Sequence, residues 1–162
     1  MARYFFFGTL MDLEVLGIVL NRPVRTDELV PAKLAGFVRM KVSDGPYPML
    51  VEDARGVVDG KVFDAVSEED DARILFFEDY DYEMLACRPI LDSGERIDAL
   101  FCGADTSLLQ SSNEEWSLAS WPPAHRSGFL AVSRIYMGCF GKMGVQAAEE
   151  IWLDACKTHL IL

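Results

Sequence analysis

One glutamate of this sequence, Glu78, occupies a position where a carboxyl group could transfer protons. The segment Ser67-Glu68-Glu69-Asp70 predicts the start of a helix, because serine caps free amides and acidic residues favour the positive end of the helix dipole. On this helix Glu78 follows Ile74 by four residues and Leu75 by three, and these two form the predicted centre of an apolar face. That face is flanked by Phe76 and Phe77. A carboxylate in an apolar stripe loses hydration, which raises its pKa towards the range useful for proton transfer.

The acidic residues that follow Glu78 strengthen this prediction. Asp79 and Asp81 are expected to raise the pKa of Glu78 further, because neighbouring negative charges disfavour a second ionised carboxyl group. The alternative is a helix that frays before Glu78 and leaves its side chain in solvent beside Asp79. Helical periodicity alone leaves both interpretations open.

A second candidate site is the loop after the first apolar segment. The aromatic run from Arg3 to Phe7 predicts a buried strand that ends at Gly8, and a helix is predicted from Asp12. So sharp a turn points consecutive backbone N–H groups outward, which suits a carboxylate or a developing oxyanion. An ordinary turn in which Thr9 caps the helix is the alternative. The residues of the candidate loop are Phe7, Gly8, Thr9 and Leu10.

Composition argues against several classes of function. A net charge of −11 over 162 residues disfavours binding to nucleic acid or to anionic membranes. The four cysteines are far apart and there are only two histidines, so free thiols are expected instead of disulfides or a zinc site. The N-terminus lacks the pattern of a signal or transit peptide, and no apolar stretch approaches the roughly 18 residues of a membrane span. We therefore expect a cytoplasmic protein.

The order of the remaining predicted elements, strands first and helices last, favours an α+β fold over a doubly wound sheet. The residues after Asp105 are predicted to be helical, with one apolar stripe and a last helix over 147–159. The stripe contains Phe129, Val132, Ser133, Tyr136 and Phe140. The earlier predicted elements begin with a helix over 12–20, ended by Pro23, and a strand pair or one bent strand over 30–42 around Gly36. A turn over 43–48 and a strand over 57–65 with Gly60 at its centre follow. The last of them is a hairpin of 82–91 with 95–104.

Three motifs in order resemble the γ-glutamylcyclotransferase-like superfamily, including its avirulence-induced plant branch and γ-glutamylamine cyclotransferase-like members. They are Tyr-Phe-Phe-Phe-Gly-Thr-Leu at 4–10, Gly-Pro-Tyr-Pro at 45–48, and Phe77-Glu78 followed by Tyr82. The steps Ala35-Gly36-Phe37 and Val58-x-Gly60 are also similar. The resemblance covers about residues 3–104, and the tail around Trp116 and Trp121 resembles bacterial members more weakly.

This resemblance implies a fold and a reaction. The fold is a small mixed β-barrel with surrounding helices and a cavity at its mouth, in one domain over 1–162 with a barrel core over about 3–104 and a helical tail over about 116–160. The reaction is cyclisation of a small γ-glutamyl compound to 5-oxoproline with release of an amine or amino acid, and it needs no metal or cofactor. Glu78 matches the family's catalytic glutamate, a general acid/base. The implied substrate-binding residues are Phe7, Gly8, Thr9, Leu10, Tyr47 and Tyr82.

Two positions depart from the family's pattern. Phe7 stands where tyrosine is usual, and Met84 stands where many members carry arginine. An apolar wall at residue 7 predicts a preference for an apolar or uncharged leaving amine over glutathione, unless this ring packs in the core. The departures also allow a catalytically silent binding or regulatory module, although an idle buried Glu78 would cost stability. A structural role, or a homodimer through the apolar C-terminal helices, is the remaining alternative.

Overall fold

A mixed seven-stranded sheet and four α-helices form the described part of this computed structural model, residues 1–78, 82–105 and 108–159, with Tyr82 described by its backbone alone. This confirms the α+β prediction. The strands are β1 (Arg3–Phe6), β2 (Val30–Val42), β3 (Pro48–Asp64), β4 (Tyr82–Cys87), β5 (Ile90–Leu91), β6 (Ala99–Ala104) and β7 (Ser111–Glu115). The helices are α1 (Leu13–Leu20), α2 (Glu68–Glu78), α3 (Pro123–Met137) and α4 (Val145–His159).

The aromatic strand β1 lies inside the sheet, whose order is β4-β6-β1-β3-β2-β5, with β7 paired to β2. It runs antiparallel to β3 and parallel to β6. Tyr4 and Phe6 pack with the helices, while Phe5 and Phe7 pack in a second apolar cluster. Burial on both faces explains why this strand is aromatic from Tyr4 onward instead of alternating. The pairings among the described residues do not connect β4 with β5 or β7, so the closed barrel stays a prediction.

The long hairpin of β2 and β3 confirms the bent strand predicted around Gly36. The pairing register shifts between Ala35 and Phe37, and Gly36 has a φ of 93°, a left-handed value that favours glycine. However, β3 begins at Pro48, well before the predicted start at 57. Its first half includes the exposed residues 52–55, so the apolar alternation that marks a strand is absent there.

Two further strands correct the sequence prediction. β7 lies in a region expected to be helical, and that expectation is wrong for Ser111–Glu115 because an exposed, polar edge strand carries no apolar pattern. The predicted hairpin of β4 and β6 is confirmed, with Tyr82 paired to Ala104 and Cys87 to Ala99. Within it, however, β5 turns away and pairs with β2.

Helix α2 begins as predicted, because the Ser67 hydroxyl accepts a hydrogen bond from the Asp70 amide at 3.0 Å. Its apolar face is rotated from the prediction. Ile74 is fully buried, but Leu75 is 50% exposed, so its placement at the centre of that face is wrong. The side chain of Asp70 instead occupies the buried face, where it accepts hydrogen bonds from Arg22 and the Val66 amide.

Local hydrogen bonds also set the ends of α1. Its N-terminal cap is Asp12, whose carboxylate accepts from the amides of Glu14 and Val15 at 2.9 and 3.2 Å. The helix ends at Leu20 as predicted, but its C-terminal cap is Asn21, with a left-handed φ of 54°, and not Pro23. Capping by Asp12 fixes where the loop at residues 8–11 must end.

Candidate active site

A cavity of about 390 Å³ lies between the end of β1, the turn before β3, the end of α2 and the two C-terminal helices. Its size falls in the range of small-molecule sites. Six of the seven site residues predicted from the sequence line it: Phe7, Gly8, Thr9, Leu10, Tyr47 and Glu78. The seventh, Tyr82, begins β4, but its side chain lies outside the description.

Glu78 is the last residue of α2, so the helix does not fray before it. Its half-buried side chain faces the cavity, and none of the described lysines, arginines or histidines forms an ion pair with it. Burial raises its pKa to about 7, because the ionised form loses hydration. A hydrogen bond from the Cys102 thiol acts in the opposite direction. Asp79 and Asp81 lie outside the described residues, so their effect on this pKa stays a prediction.

Contacts from neighbouring elements hold the end of α2 in place. The Tyr136 hydroxyl on α3 donates to the Phe76 carbonyl at 2.6 Å, which satisfies a carbonyl in the last turn of α2. The Phe76 and Tyr136 rings stack with centroids 4.8 Å apart. On the other side, the Cys102 thiol on β6 lies 4.0 Å from the Glu78 carbonyl. The position of Glu78 is therefore fixed by both the sheet and the helical tail.

The loop after β1 lines this cavity with residues whose backbone amides have no acceptor in the described part of the chain. It forms a short 3-10 turn, in which Met11 donates to the Gly8 carbonyl and Asp12 to the Thr9 carbonyl. Within the described chain, the amides of Gly8, Thr9 and Leu10 find no hydrogen-bond acceptor. Asp12 caps α1, so the capping role that the alternative gave to Thr9 is wrong, while an ordinary strand-to-helix turn remains the alternative to an anion site. Three such amides at a cavity wall can bind an anion.

Position 8 requires glycine because a neighbouring side chain packs closely against its Cα, and not because of its backbone dihedral angles. Its φ of −127° is open to any residue, but a Cβ built on it would lie 2.9 Å from Cγ of Pro48. Pro48 is the first residue of β3 and directly follows Tyr47 of the preceding turn. Two of the three motifs that carry the family resemblance, around Gly8 and around Tyr47, therefore meet at one edge of the cavity.

Phe7 lines the cavity and is also part of the core. Its residue is only 7% exposed, and its ring packs edge-on against Phe101 with centroids 6.4 Å apart. Core packing of Phe7 is the alternative to substrate contact, and the contact with Phe101 is consistent with it. A role of Phe7 in binding substrate stays a prediction.

Sequence reasoning missed the wall supplied by the helical tail. Trp152 and Glu149 on α4 and Phe129 on α3 line the cavity. Trp152 packs edge-on against Phe129 and against Phe77 of α2, with centroids 5.7 and 6.2 Å apart. The apolar stripe on the predicted helix at 129–140 marked Phe129 as buried, but no local pattern shows which earlier element it meets.

The charge of the cavity wall is one-sided. Glu78, Asp44 and Glu149 line it, whereas its described lining contains no lysine, arginine or histidine. Position 84, where many members of the resembled superfamily carry arginine, brings the apolar side chain of Met84 to this wall. An anion entering the cavity would therefore depend on backbone amides. The cavity thus brings together a carboxyl group with a raised pKa, three backbone amides without acceptors among the described residues, and an apolar wall.

Known proteins resemble this chain in sequence and in fold. The family model described as "Gamma-glutamyl cyclotransferase, AIG2-like" matches residues 4–119. "Protein AIG2 C" of Arabidopsis thaliana is 28% identical over 134 residues, which cover 80% of this chain and 78% of that protein. An Arabidopsis thaliana protein solved in solution is 26% identical with a TM-score of 0.58, over 87% of this chain and 84% of the other.

A solved γ-glutamyl cyclotransferase is only 11% identical and shows a likeness of fold alone. Its TM-score is 0.53, and the match covers 93% of this chain and 85% of that one. The family model spans most of the chain, including β1, the Tyr47 turn and Glu78. The chain therefore belongs to the AIG2-like γ-glutamyl cyclotransferase family.

Proposed function

We propose that this protein is a γ-glutamyl cyclotransferase, which converts a small γ-glutamyl compound into 5-oxoproline and an amine or amino acid. The observation that carries this proposal is Glu78, a carboxyl group with a pKa of about 7 that faces a cavity beside three amides with no acceptor among the described residues. Membership of the family supports the reaction class. A group with this pKa is well populated in both protonation states near neutral pH.

In the proposed reaction the substrate supplies its own nucleophile. The α-amine attacks the γ-carbonyl carbon, a new C–N bond closes the five-membered ring, and the bond from that carbon to the leaving nitrogen breaks. Holding the glutamyl chain in a folded shape would supply much of the acceleration, because ring closure is intramolecular.

Glu78 would move the protons that this reaction requires. Ring closure removes two protons from the α-ammonium group, and the leaving nitrogen gains two to become an ammonium ion. Glu78 accepts protons as a carboxylate and donates them as a carboxylic acid, so one residue serves both directions. The surrounding aromatic wall limits hydration, which keeps the pKa of Glu78 in this range.

The amides of Gly8, Thr9 and Leu10 would bind a negative charge of the substrate. Two oxygen groups compete for them: the α-carboxylate, and the oxyanion that forms when the γ-carbonyl is attacked. Either assignment places the glutamyl part of the substrate at the end of β1, between this loop and Glu78.

The leaving group would lie against the helical tail. Trp152 offers an apolar surface there, and the carboxylate of Asp44 would repel a further carboxylate on the ligand. We therefore expect an apolar or uncharged leaving amine to be preferred over glutathione, whose leaving cysteinylglycine carries a further carboxylate.

The experiment that tests this function is incubation of the purified protein with a panel of γ-glutamyl amines and γ-glutamyl amino acids, scored for 5-oxoproline. Release from at least one member, faster than from glutathione, is the expected result. The second candidate is a silent binding module, which the apolar Met84 at the cavity wall favours. Binding of the same compounds without 5-oxoproline release would support that candidate and contradict enzymatic function.

A further inference from the structure

Arg39 on β2 lies directly behind the loop that presents the three amides. Its Nη1 donates to the carbonyls of Phe7 and Asp59 at 3.0 and 2.9 Å. Its Nε donates to the carbonyl of Trp116 at 2.9 Å. A single half-buried guanidinium therefore joins the end of β1, the strand β3 and the residue after β7.

The contacts of Arg39 are unusual for a cation in so acidic a protein. The chain has 26 acidic residues against 15 lysines and arginines, yet no described carboxylate forms an ion pair with Arg39. The guanidinium instead lies 5.6 Å from the centroid of the Trp116 ring and is bound by backbone carbonyls. Partial burial of a guanidinium without an ion-pair partner costs folding free energy because the charge loses hydration. We therefore expect Arg39 to have a role in addition to packing.

Trp116 extends the contacts of Arg39 to the other edge of the cavity. Its backbone amide donates to the Arg39 carbonyl at 3.3 Å, and its indole Nε1 donates to the Pro46 carbonyl at 2.7 Å. Pro46 precedes Tyr47 and Pro48, and Pro48 packs against Gly8. Arg39 and Trp116 thus hold the loop after β1 and the turn before β3 against each other.

We propose that Arg39 is a positioning residue for the anion-binding loop: by binding the Phe7 carbonyl it orients the Phe7–Gly8 peptide so that the Gly8 N–H is available to the substrate. All described peptide bonds are trans, so the C=O and N–H of this peptide point in opposite directions. Fixing the carbonyl towards Arg39 turns the Gly8 N–H away from it, and that amide has no acceptor within the described chain.

The positive charge of Arg39 also acts through this peptide group. A cation bound to a carbonyl oxygen polarises the amide and makes its N–H a stronger donor, as in other hydrogen-bonded chains. The cavity can therefore attract an anion although its described lining contains no cationic side chain. This inference rests on the proposed function, because it assumes that the loop binds the carboxylate or oxyanion of a γ-glutamyl substrate.

The test uses 5-oxoproline as the probe, with binding followed at the Gly8 amide by NMR and turnover measured on the best substrate of the panel. In wild-type protein the Gly8 amide proton should shift downfield as 5-oxoproline binds. For Arg39→Met we expect the Kd for 5-oxoproline to rise at least about tenfold and the Gly8 shift to shrink, since a charge-assisted contact is removed. Arg39→Lys keeps a positive charge but loses the planar guanidinium with its several N–H donors. For this variant we expect a smaller rise in the Kd for 5-oxoproline and a Gly8 shift between those of wild type and Arg39→Met.

Arg73 provides a matched control. Its side chain is also largely buried, donates to a backbone carbonyl, that of Val19, and lies 4.5 Å from the centroid of the Phe140 ring, but it pairs with Glu69 and has no described hydrogen bond to the loop after β1. Arg73→Met should lose thermal stability as Arg39→Met does and leave both the Kd and the Gly8 shift unchanged. This comparison separates positioning from a general effect on stability.

The outcomes distinguish this inference from the function on which it rests. Wild-type binding at the Gly8 amide, with Arg39→Met and Arg39→Lys both within threefold of the wild-type Kd, would overturn the role of Arg39 and leave the function standing. Absence of both 5-oxoproline binding and 5-oxoproline release in the wild type would overturn the proposed function and this inference with it. If Arg39→Met does not fold, Arg39→Lys decides: an unchanged Kd and Gly8 shift overturn the inference.

Discussion

At the scale of single residues, the proposed chemistry depends on how Glu78 is hydrated. The carboxyl group has an ordinary pKa of 4.5, and burial at the end of α2 raises it to about 7. In an exposed position the same group would be ionised at neutral pH and a poor proton donor. Burial thus supplies the acid form without requiring a second catalytic group.

The pH dependence of turnover should follow the pKa of Glu78. The proposed reaction begins with Glu78 as a carboxylate, so kcat/KM should rise as pH increases through about 7 and fall about tenfold per pH unit well below it. The measurement is a pH profile of 5-oxoproline release between pH 5 and pH 8. A flat profile over this range would show that no group with this pKa controls the reaction.

Gly8 is the residue where a side chain should do the most harm to binding. In Gly8→Val the new side chain would collide with Pro48 and displace the loop from the Tyr47 turn, so the Kd for 5-oxoproline should rise by at least about tenfold. Gly144→Ala is the control, since a Cβ there meets nothing within 4 Å. Calorimetric titration of both variants checks this, and wild-type affinity in Gly8→Val would remove the loop from the site.

At the scale of elements, the sequence predicted best those segments whose burial has a regular period. The stripe from Phe129 to Tyr136 and the cap at Ser67 gave α3 and α2, because a helix buries every third or fourth residue. The strand β7 was not predicted from the sequence, because its residues are exposed and polar and so show no apolar alternation. Its partner, β2, also lies far away in sequence. Leu75 was misplaced because Asp70, buried through Arg22, occupies the face that the periodicity assigned to apolar residues.

The candidate site was predictable where a motif was local and unpredictable where it joined distant elements. The loop at Gly8 and the glutamate at position 78 could be predicted from short motifs. The wall from α4 could not, because the contact of Trp152 with Phe77 joins two helices far apart in sequence.

The helical tail should therefore control the leaving group and not the glutamyl part of the substrate. Trp152→Ala opens the cavity beside Phe77 and Phe129, so it should change the ranking of leaving amines in kcat/KM while leaving 5-oxoproline affinity within a few-fold of wild type. The substrate panel measures the ranking and a binding titration measures the affinity. An unchanged ranking would make Trp152 a core residue and remove α4 from the substrate site.

At the scale of the whole molecule, the burial that suits Glu78 to its proposed role lowers the free energy of unfolding at neutral pH. Its pKa is raised on folding, so the folded state disfavours the ionised form. This cost is absent below the ordinary pKa of 4.5, grows as pH rises towards 7, and is fully present above the folded pKa. Within this window the group makes the free energy of unfolding fall with pH.

Replacing the carboxyl group should remove this cost. Glu78→Gln should be more stable than wild type at pH 8, by about 1–3 kcal/mol at most, with a smaller difference at pH 5. Thermal unfolding at both pH values is the measurement, and Glu68→Gln, an exposed change on the same helix, should show no such dependence. A less stable Glu78→Gln at pH 8 would indicate a carboxylate that is paired and structural in solution.

The proposed function requires above all that Glu78 transfers the protons of a γ-glutamyl ring closure. The direct measurement is 5-oxoproline release from the best panel substrate by wild type, Glu78→Gln and the control Glu68→Gln, each first shown to be folded by circular dichroism. The account predicts that Glu78→Gln loses at least about a hundredfold in kcat, the usual scale for an acid/base group, while Glu68→Gln keeps wild-type activity. Turnover by Glu78→Gln at the wild-type rate would contradict the account.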